Sequence, residues 1–467
     1  MRFVSTRGQA PALSLSDAVL TGLARDGGLY VPESWPQVSS DEIAAMTGTY
    51  VPTAFRIISP FMADDPEAPD AEQLLTLLNE AYATFRHPSV TPLVELGPDH
   101  FLLELFHGPT LAFKDVAMQF LARVMDHILK ARGQRATIVG ATSGDTGSAA
   151  IEAFRGRDNI DIFILHPEGR TSEVQRRQMT TVLDANVHNI AIRGTFDDCQ
   201  NAVKALFNNH SFRDRVKLSG VNSINWGRIV AQIVYYFKAA AELGVPNRKI
   251  AFTVPTGNFG DIFAGYAAKR MGLPIEKLLI ATNENDILAR TLKTGRYETG
   301  AVTPTISPSM DIQVSSNFER LLFEAVGRNG AAVNSLMQGL NQSGAFTIPE
   351  PAFAAIRADF FAATTDEATT RETIRETYAK SGYLLDPHTA VGVNIGKRFA
   401  AGSTAMITLA TAHPAKFPAA VKAATGVEPA LPVWLADLYG RAERYDVLDN
   451  DQAKVEAFIL ERTRAEA

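Results

Sequence analysis

The sequence predicts an α/β fold: parallel sheets covered by helices on both faces, preceded by a helical unit and interrupted by a helical insertion. Three observations predict it. From about residue 96, short apolar runs alternate with longer stretches whose apolar residues recur every three or four positions. The first 95 residues read as a separate, mostly helical unit. Residues about 290–380 are more polar and less regular, as in an insertion or lid.

In chain order, Ser14 or Ser16 is placed to cap a helix ending near Asp26-Gly27-Gly28, and "AEQLLTLLNEAYATF" is a second amphipathic helix. "HPSVTPLVELGPDHFLLELFHGPT" switches to short strands and turns. "DVAMQFLARVMDHILKARG" has Val116, Phe120, Val124 and Ile128 at steps of four, so it is a helix with a buried face, closed by Gly133. "ATIVGATSG", "IDIFILHPEG", "VHNIAIRG", "RKIAFTVPTG" and "KLLIATN" are strand candidates. Between them lie "SEVQRRQMTTVL", "FDDCQNAVKALFNN" and "RIVAQIVYYFKAAAEL", helical in pattern. "MITLATAHPAKF" returns to a buried strand that ends in a polar turn.

The whole chain bounds the function. Its 467 residues correspond to two to four domains at roughly 100–200 residues each. A net charge of -6 offers no bulk basicity for nucleic acid. No apolar run approaches the roughly 18 residues of a membrane span, and the start has no signal core. The single cysteine, Cys199, excludes an internal disulfide framework and a multi-thiol metal site. No His/Glu pair has metal-binding spacing, so no metal is expected. The cytoplasm is the expected compartment.

Lys114 sits in "FHGPTLAFKDVAMQF", at the start of a helix and among apolar residues. Burial and a helix N-terminus both disfavour its charge, which suits a nucleophile or a Schiff base. A stem lying on apolar surface with its amine in water is the plainer alternative. Asp115 either balances charge or caps the helix. "GATSGDTGSAA" follows a strand and opens a helix, so its N–H groups and the hydroxyls of Ser143 and Thr146 can bind an anion around Gly144. Asp145 is odd there unless it caps the helix or meets a cation. "VPTGNFGDIFAG" repeats the strand-turn-helix pattern. There Gly257 and Gly260 permit close approach of a phosphate, Asn258 tolerates left-handed geometry, and Asp261 can cap. Each of these two loops also fits a plain tight turn. In "VNSINWGRIVAQ", Asn222, Ser223 and Arg228 together fit a phosphate, whereas an isolated arginine there would face water. "LATAHPAKF" places Thr411 and His413 at the end of a buried strand, where sites gather, although a structural hydrogen bond also accounts for His413. One buried lysine, two Gly-rich anion loops and an Asn/Ser/Arg cluster are explained together by a lysine-bound carbonyl cofactor bearing a phosphate. Pyridoxal 5'-phosphate is that cofactor.

At these residues the sequence resembles the threonine synthase family. The matching stretches are "STRG", "ARDGGLYVP", "FHGPTLAFKD", "GATSGDTGSAA", "VNSINWGRI", "VPTGNFGDI", "PSMDIQVSSNFER", "DPHTAVG" and "TAHPAKF", spread from residue 5 to about 417. The resemblance is to the microbial and fungal branch rather than the plant one activated by S-adenosylmethionine. It implies the tryptophan-synthase-β type of cofactor fold, fold type II. Residues 1–95 would form the N-terminal helical domain, 96–224 a first parallel-sheet subdomain with the Schiff-base lysine, and 225–467 a second that carries the insertion.

It also implies roles. Lys114 matches the Schiff-base lysine. Gly257, Asn258, Phe259, Gly260 and Asp261 match the loop that holds the cofactor phosphate. Thr411 matches the hydroxyl residue at the pyridine nitrogen. Ser143, Gly144, Asp145 and Thr146 match the loop for the substrate carboxylate, and Asn222, Ser223 and Arg228 match residues that hold the substrate phosphate. Many relatives in the wider fold have Asn where this chain has Asp145. The implied reaction, the last step of threonine biosynthesis, converts O-phospho-L-homoserine and water to L-threonine and phosphate by a β,γ-elimination and β-addition. A monomer or homodimer, with no nucleic-acid or membrane partner, is the expected state. A dehydratase or phospho-lyase of the same fold is the alternative enzyme. A non-catalytic binder of phosphorylated ligand is the alternative outside enzymes.

Overall fold

The computed structural model describes residues 1–399 and 404–465. Two sheets carry the architecture. The larger runs Phe360–Thr364, Ile275–Thr282, Ile250–Pro255, Ala405–Ala410, His100–Glu104, Leu93–Gly97. All its neighbours are parallel except the final hairpin pair. The smaller runs Asp446–Asp449, Val187–Arg193, Ile160–Pro167, Ala136–Ala141, Leu218–Ser219, parallel throughout. The alternation of strand and helix patterns predicted this.

The sheet order departs from a division at residue 224. Strands Leu93–Gly97 and His100–Glu104 lie in the sheet built mostly from residues beyond 250, where His100–Glu104 pairs with Ala405–Ala410. Strand Asp446–Asp449 crosses the other way and pairs with Val187–Arg193. Parallel neighbours are joined through long crossovers, so chain adjacency does not set sheet membership. The segment about 290–380 is likewise more than a lid. Its strand Phe360–Thr364 is the edge of the larger sheet, with Leu278 opposite Phe360, and most of the rest is regular helix.

The N-terminal unit contains the expected helices and also an antiparallel ribbon, Phe3–Ser5 with Tyr30–Pro32. Ser14, not Ser16, caps helix Leu15–Thr21 by accepting the Asp17 N–H, and the helix stops at Gly22, short of Asp26. Asp26 instead accepts from the Ser5 hydroxyl and from the N–H groups of Gln9, Ala10 and Gly28. This unit shares its core with the rest. Trp226 is fully buried, with the rings of Phe3, Trp35 and Phe61 at 5.6, 6.1 and 5.8 Å. Trp226 begins helix Trp226–Glu242, which is buried from Trp226 through Ala241, Arg228, Gln232 and Lys238 included.

Helix Lys114–Arg132 ends at Gly133, whose φ of +61° gives the left-handed cap that the sequence predicts. The loops that follow strands His100–Glu104, Ala136–Ala141, Leu218–Ser219, Ile250–Pro255 and Ala405–Ala410 carry the chemistry-bearing residues. All five leave the C-terminal ends of parallel strands, where ligands bind in open α/β sheets.

Candidate active site

The turn before Lys114 is tightly built. Leu111 takes φ +63°, a left-handed position that a leucine adopts only under constraint. Asp115 fills the space beside Gly108, where a Cβ would lie 2.5 Å from it. The Asp115 carboxylate accepts the Thr110 N–H at 2.8 Å and hydroxyl at 2.7 Å. Asp115 therefore stabilises the turn, and burial pushes its carboxyl up to about 6. The turn is stitched to the end of strand Ala405–Ala410: Phe113 N–H donates to Thr411 O at 2.8 Å, and His413 N–H donates to Leu111 O at 3.0 Å. Two segments distant in sequence are thus fixed side by side.

Lys114 is the first residue of its helix and is 8% exposed. Its Nζ lies 3.4 Å from Asp145 Oδ2. Burial lowers its proton affinity, Asp145 opposes this, and the charges of Arg228 and Lys416 lower it further. The amine is a buried, destabilised cation, not a snorkelling one.

Asp145 begins helix Asp145–Phe154 and does not cap it. Its Oδ1 meets Lys416 Nζ at 3.1 Å and accepts from Gln175 Nε2 at 2.8 Å. Its Oδ2 accepts from Ser309 Oγ at 3.3 Å, in addition to Lys114. Burial works against this charge, yet the two lysines and Gln175 hold the carboxyl well below the usual carboxylate range. The cation that the sequence demanded for Asp145 is a pair of lysines. Thr142 Oγ1 accepts the N–H groups of Gly144 and Gly147, each at 2.9 Å. Gly144, at φ +147°, leaves room for Gln175, whose amide a Cβ would meet at 2.4 Å. The Ser143, Asp145 and Thr146 N–H groups and the Ser143 and Thr146 hydroxyls have no acceptor or donor among the described residues. They suit a carboxylate.

The loop Gly257–Asp261 opens helix Gly260–Arg270. None of its five N–H groups has an acceptor among the described residues. A helix N-terminus with free donors binds an anion such as phosphate. Phe259 takes φ +63° and buries its ring against Phe318 at 5.3 Å, so only its backbone is available. Gly257 has no room for a side chain, since a Cβ would lie 2.6 Å from the Ser309 carbonyl.

Asp261 corrects the expectation of a cap, because helix Gly260–Arg270 has no side-chain cap. Its Oδ1 accepts from Tyr235 and, at 3.1 Å, from Tyr236, while Oδ2 is buried without a partner. Only its backbone can face an anion, since its carboxylate would repel one. Burial pushes this carboxyl up to about 7, although the tyrosine hydroxyls and Arg228 pull it down. A carboxyl raised in the folded state contributes stability at low pH that is lost as pH rises through its folded value. Melting of the native chain should therefore fall relative to Asp261→Asn as pH rises from about 5 to about 8. Parallel melting curves for the two proteins across that range would exclude this.

Arg228 is 3% exposed. Its Nη1 donates to Val221 O at 3.3 Å, and its Nε is buried with no partner. Burial lowers its affinity for a proton to about 10, against the pull of Tyr235 and Asp261. This is no water-facing arginine, and a buried guanidinium with an idle N–H fits an anion. Ser223 is partly buried and Asn222 is exposed, and among the described residues no hydrogen bond joins the Asn222 side chain to the rest of the site. Thr411 is 5% exposed. Its N–H donates to Thr389 Oγ1 at 3.3 Å. His413 is structural: its Nδ1 accepts the Ala415 N–H at the turn Pro414–Lys416.

Three side chains that tie the site together had no role in the sequence reading. Lys416 is completely buried. Asn317 donates from N and Nδ2 to Asn258 O at 3.1 and 2.9 Å, and from Nδ2 to Ser223 O at 3.3 Å. It thus braces both phosphate-suited segments. Ser309 joins Asp145 to the loop beside Gly257. Ser309 and Asn317 belong to the quoted stretch "PSMDIQVSSNFER". Its dense polar residues were the available signal, but which partners they reach depends on the fold.

Comparison with known proteins places the whole chain in one family. Family models described as "Threonine synthase N terminus", "Pyridoxal-phosphate dependent enzyme" and "Threonine synthase, C-terminal" match residues 2–82, 85–336 and 389–459. The threonine synthase of Pseudomonas aeruginosa is 55% identical over 98% of both chains. A crystal structure of pyridoxal-phosphate-bound threonine synthase from Brucella melitensis is 60% identical, covers 100% of both chains and superposes with a TM-score of 0.97. The yeast threonine synthase structure is 41% identical, covers 99% of this chain and 98% of its own, and has a TM-score of 0.94. The residues fit pyridoxal phosphate. A buried primary amine is present for its aldehyde, and unpaired backbone donors are present for its phosphate. On its local chemistry, its fold and its similarity from end to end, the chain belongs to the threonine synthase family of pyridoxal-phosphate-dependent enzymes.

Proposed function

We propose that the protein converts O-phospho-L-homoserine and water to L-threonine and phosphate, with Lys114 as its catalytic residue. The observation that carries this is the buried Lys114 amine at a sheet edge that also holds two separate sets of unpaired anion donors, the Gly257–Asp261 backbone and the buried Arg228. Two donor sets suit a phosphorylated cofactor and a phosphorylated substrate together. A dehydratase substrate has no phosphate for the second set.

Pyridoxal phosphate, when bound, supplies an aldehyde that captures amines and a ring that takes up negative charge from the substrate's α-carbon. Backbone N–H groups of Gly257, Asn258, Phe259, Gly260 and Asp261 hold its phosphate, and Thr411 offers a neutral hydroxyl to its pyridine nitrogen. Ser143, Thr146 and the N–H groups between them hold the substrate carboxylate, while the Asp145 side chain stays with the lysines. Asn222, Ser223 and Arg228 hold the substrate phosphate. Neutral Lys114 Nζ removes the proton at Cα. Nζ also takes a proton from Cβ and delivers it to Cγ, and Cα regains its proton once water has added, so no proton is lost from carbon overall. Loss of the γ-phosphate lies between these transfers, and water then adds at Cβ. Phosphate retained by Arg228 is the base that activates this water.

Ser309, Ser315 and Asn317 hydrogen-bond to Asp145, Gly257 and Asn258, so residues 307–317 cover the chamber and exclude water until the addition. Hydrogen exchange should show protection of this segment when a phosphonate analogue of the substrate is added. Unchanged exchange at 307–317 would remove it as the cover.

No helix among the described residues is long and apolar enough to cross a membrane. A cytoplasmic enzyme without nucleic-acid partners, working as a monomer or homodimer, belongs to the same proposal, and the net charge of -6 offers no bulk basicity for nucleic acid. The direct test is incubation with O-phosphohomoserine and simultaneous assay of threonine and phosphate. Equal amounts support the reading. Phosphate with 2-oxobutyrate in place of threonine identifies a phospho-lyase instead.

A further inference from the structure

We propose that Lys416 is a positioning residue: it gives Asp145 a second counter-charge, so that Lys114 can lose its proton beside substrate without stranding a buried carboxylate. The inference rests on the reading of Lys114 as the base and goes beyond it. Lys416 lies in the turn Pro414–Lys416, just after strand Ala405–Ala410. Its Nζ has three partners: Thr110 O at 2.7 Å, Gln178 Oε1 at 2.8 Å and Asp145 Oδ1 at 3.1 Å. A fully buried ammonium persists only when paired and hydrogen-bonded in this way. The partners come from the turn before Lys114, from helix Glu173–Thr180 and from helix Asp145–Phe154. Lys416 is therefore fixed by segments of both sheets.

Asp145 is shared between two cations, Lys416 on Oδ1 and Lys114 on Oδ2 at 3.4 Å. With Lys114 alone, the ion pair would hold the Nζ proton in place, because an opposite charge favours the charged form. A neutral Lys114 would then leave a buried, unpaired carboxylate, the costly outcome for a broken buried pair. Lys416 removes that conflict, since Asp145 stays paired in both protonation states of Lys114. The charged groups facing Lys114 are Asp145, Arg228 and Lys416. Those facing Asp145 are the two lysines and His388. Asp115 and His413 lie near Lys416, and the Asp115 carboxylate is already taken up by Thr110.

The test compares Lys416→Met, Lys416→Arg and Asp145→Asn holoenzymes. Two readouts are followed: the acid limb of kcat against pH, which reports the substrate complex, and the pH at which the bound cofactor's visible absorption changes. Lys416→Met should move both upward by about one pH unit or more, because Lys114 then holds its proton for Asp145. Lys416→Arg keeps the charge and should leave both within about half a unit. Asp145→Asn should move both downward, and it supplies the test if Lys416→Met does not fold. Unmoved pH profiles in Lys416→Met or in Asp145→Asn, with only a lower melting temperature, overturn the proposal. So does an equal upward shift in Lys416→Arg. Retained turnover in Lys114→Ala would instead sink the underlying reading of the base.

Discussion

Lys114→Ala should lower turnover by about a hundred- to ten-thousandfold, while the protein stays folded. The side chain is asked to do two things that no neighbour can take over. On the proposed mechanism it would hold the cofactor covalently between turnovers and carry protons at the reacting carbons. Lys416, the other amine at Asp145, is completely buried and directs its Nζ to Thr110, Gln178 and Asp145. It cannot reach out in place of Lys114 without abandoning all three. The fold should tolerate the change because Asp145 keeps Lys416 and Gln175. Its carboxylate is therefore not left unpaired, which is what makes the loss of one partner of a buried pair costly. Far-UV circular dichroism and melting, run beside the activity assay, check both halves. Turnover above about a tenth of the native rate contradicts the assignment.

Arg228→Lys should lower turnover about a hundredfold or more with O-phosphohomoserine. Removing a positioned donor at a developing anion costs roughly 2.7–4 kcal/mol, and lysine keeps the charge but loses the two-pronged donor set. On the proposed roles, Arg228 clamps the leaving phosphate and retained phosphate activates water, so departure and addition should both suffer. The cofactor should still bind, because a different set of donors, the backbone of Gly257–Asp261, is proposed for its phosphate. Lys114 titration should shift little, since the charge that faces it remains. The buried, unpartnered Nε makes this a demanding test: a surface arginine at a helix start would tolerate lysine nearly silently. Steady-state kinetics together with cofactor absorption separate the cases. Native turnover, or loss of the cofactor, shows that Arg228 serves elsewhere.

Much of this candidate site was legible in the sequence because its chemistry is local. A lysine in an apolar helix start, Gly-rich turns after strands and a strand ending in Thr411 are each contained in about ten residues. The α/β class was legible for the same reason, since the periodicity of each segment is local. What the sequence concealed was pairing at long range. Sheet membership of His100–Glu104 and Asp446–Asp449 depends on crossovers, so contiguous subdomain boundaries missed both. Asp145 looked anomalous because its two cations come from other segments. Asp261 reads as a cap, since aspartate at a helix start usually is one, yet the tyrosines of helix Trp226–Glu242 capture its side chain. Lys416 sits inside a stretch that the sequence did single out. Its burial, which is what gives it meaning, appears only when the turn before Lys114 closes over it.

Lys114, and not its neighbour, is proposed as the amine that carries the cofactor, and borohydride reduction of the holoenzyme, followed by proteolysis and mass mapping, identifies that amine. One pyridoxyl group per chain is expected, on the peptide containing Lys114. A pyridoxyl group on Lys416, on any other lysine or on none would contradict it.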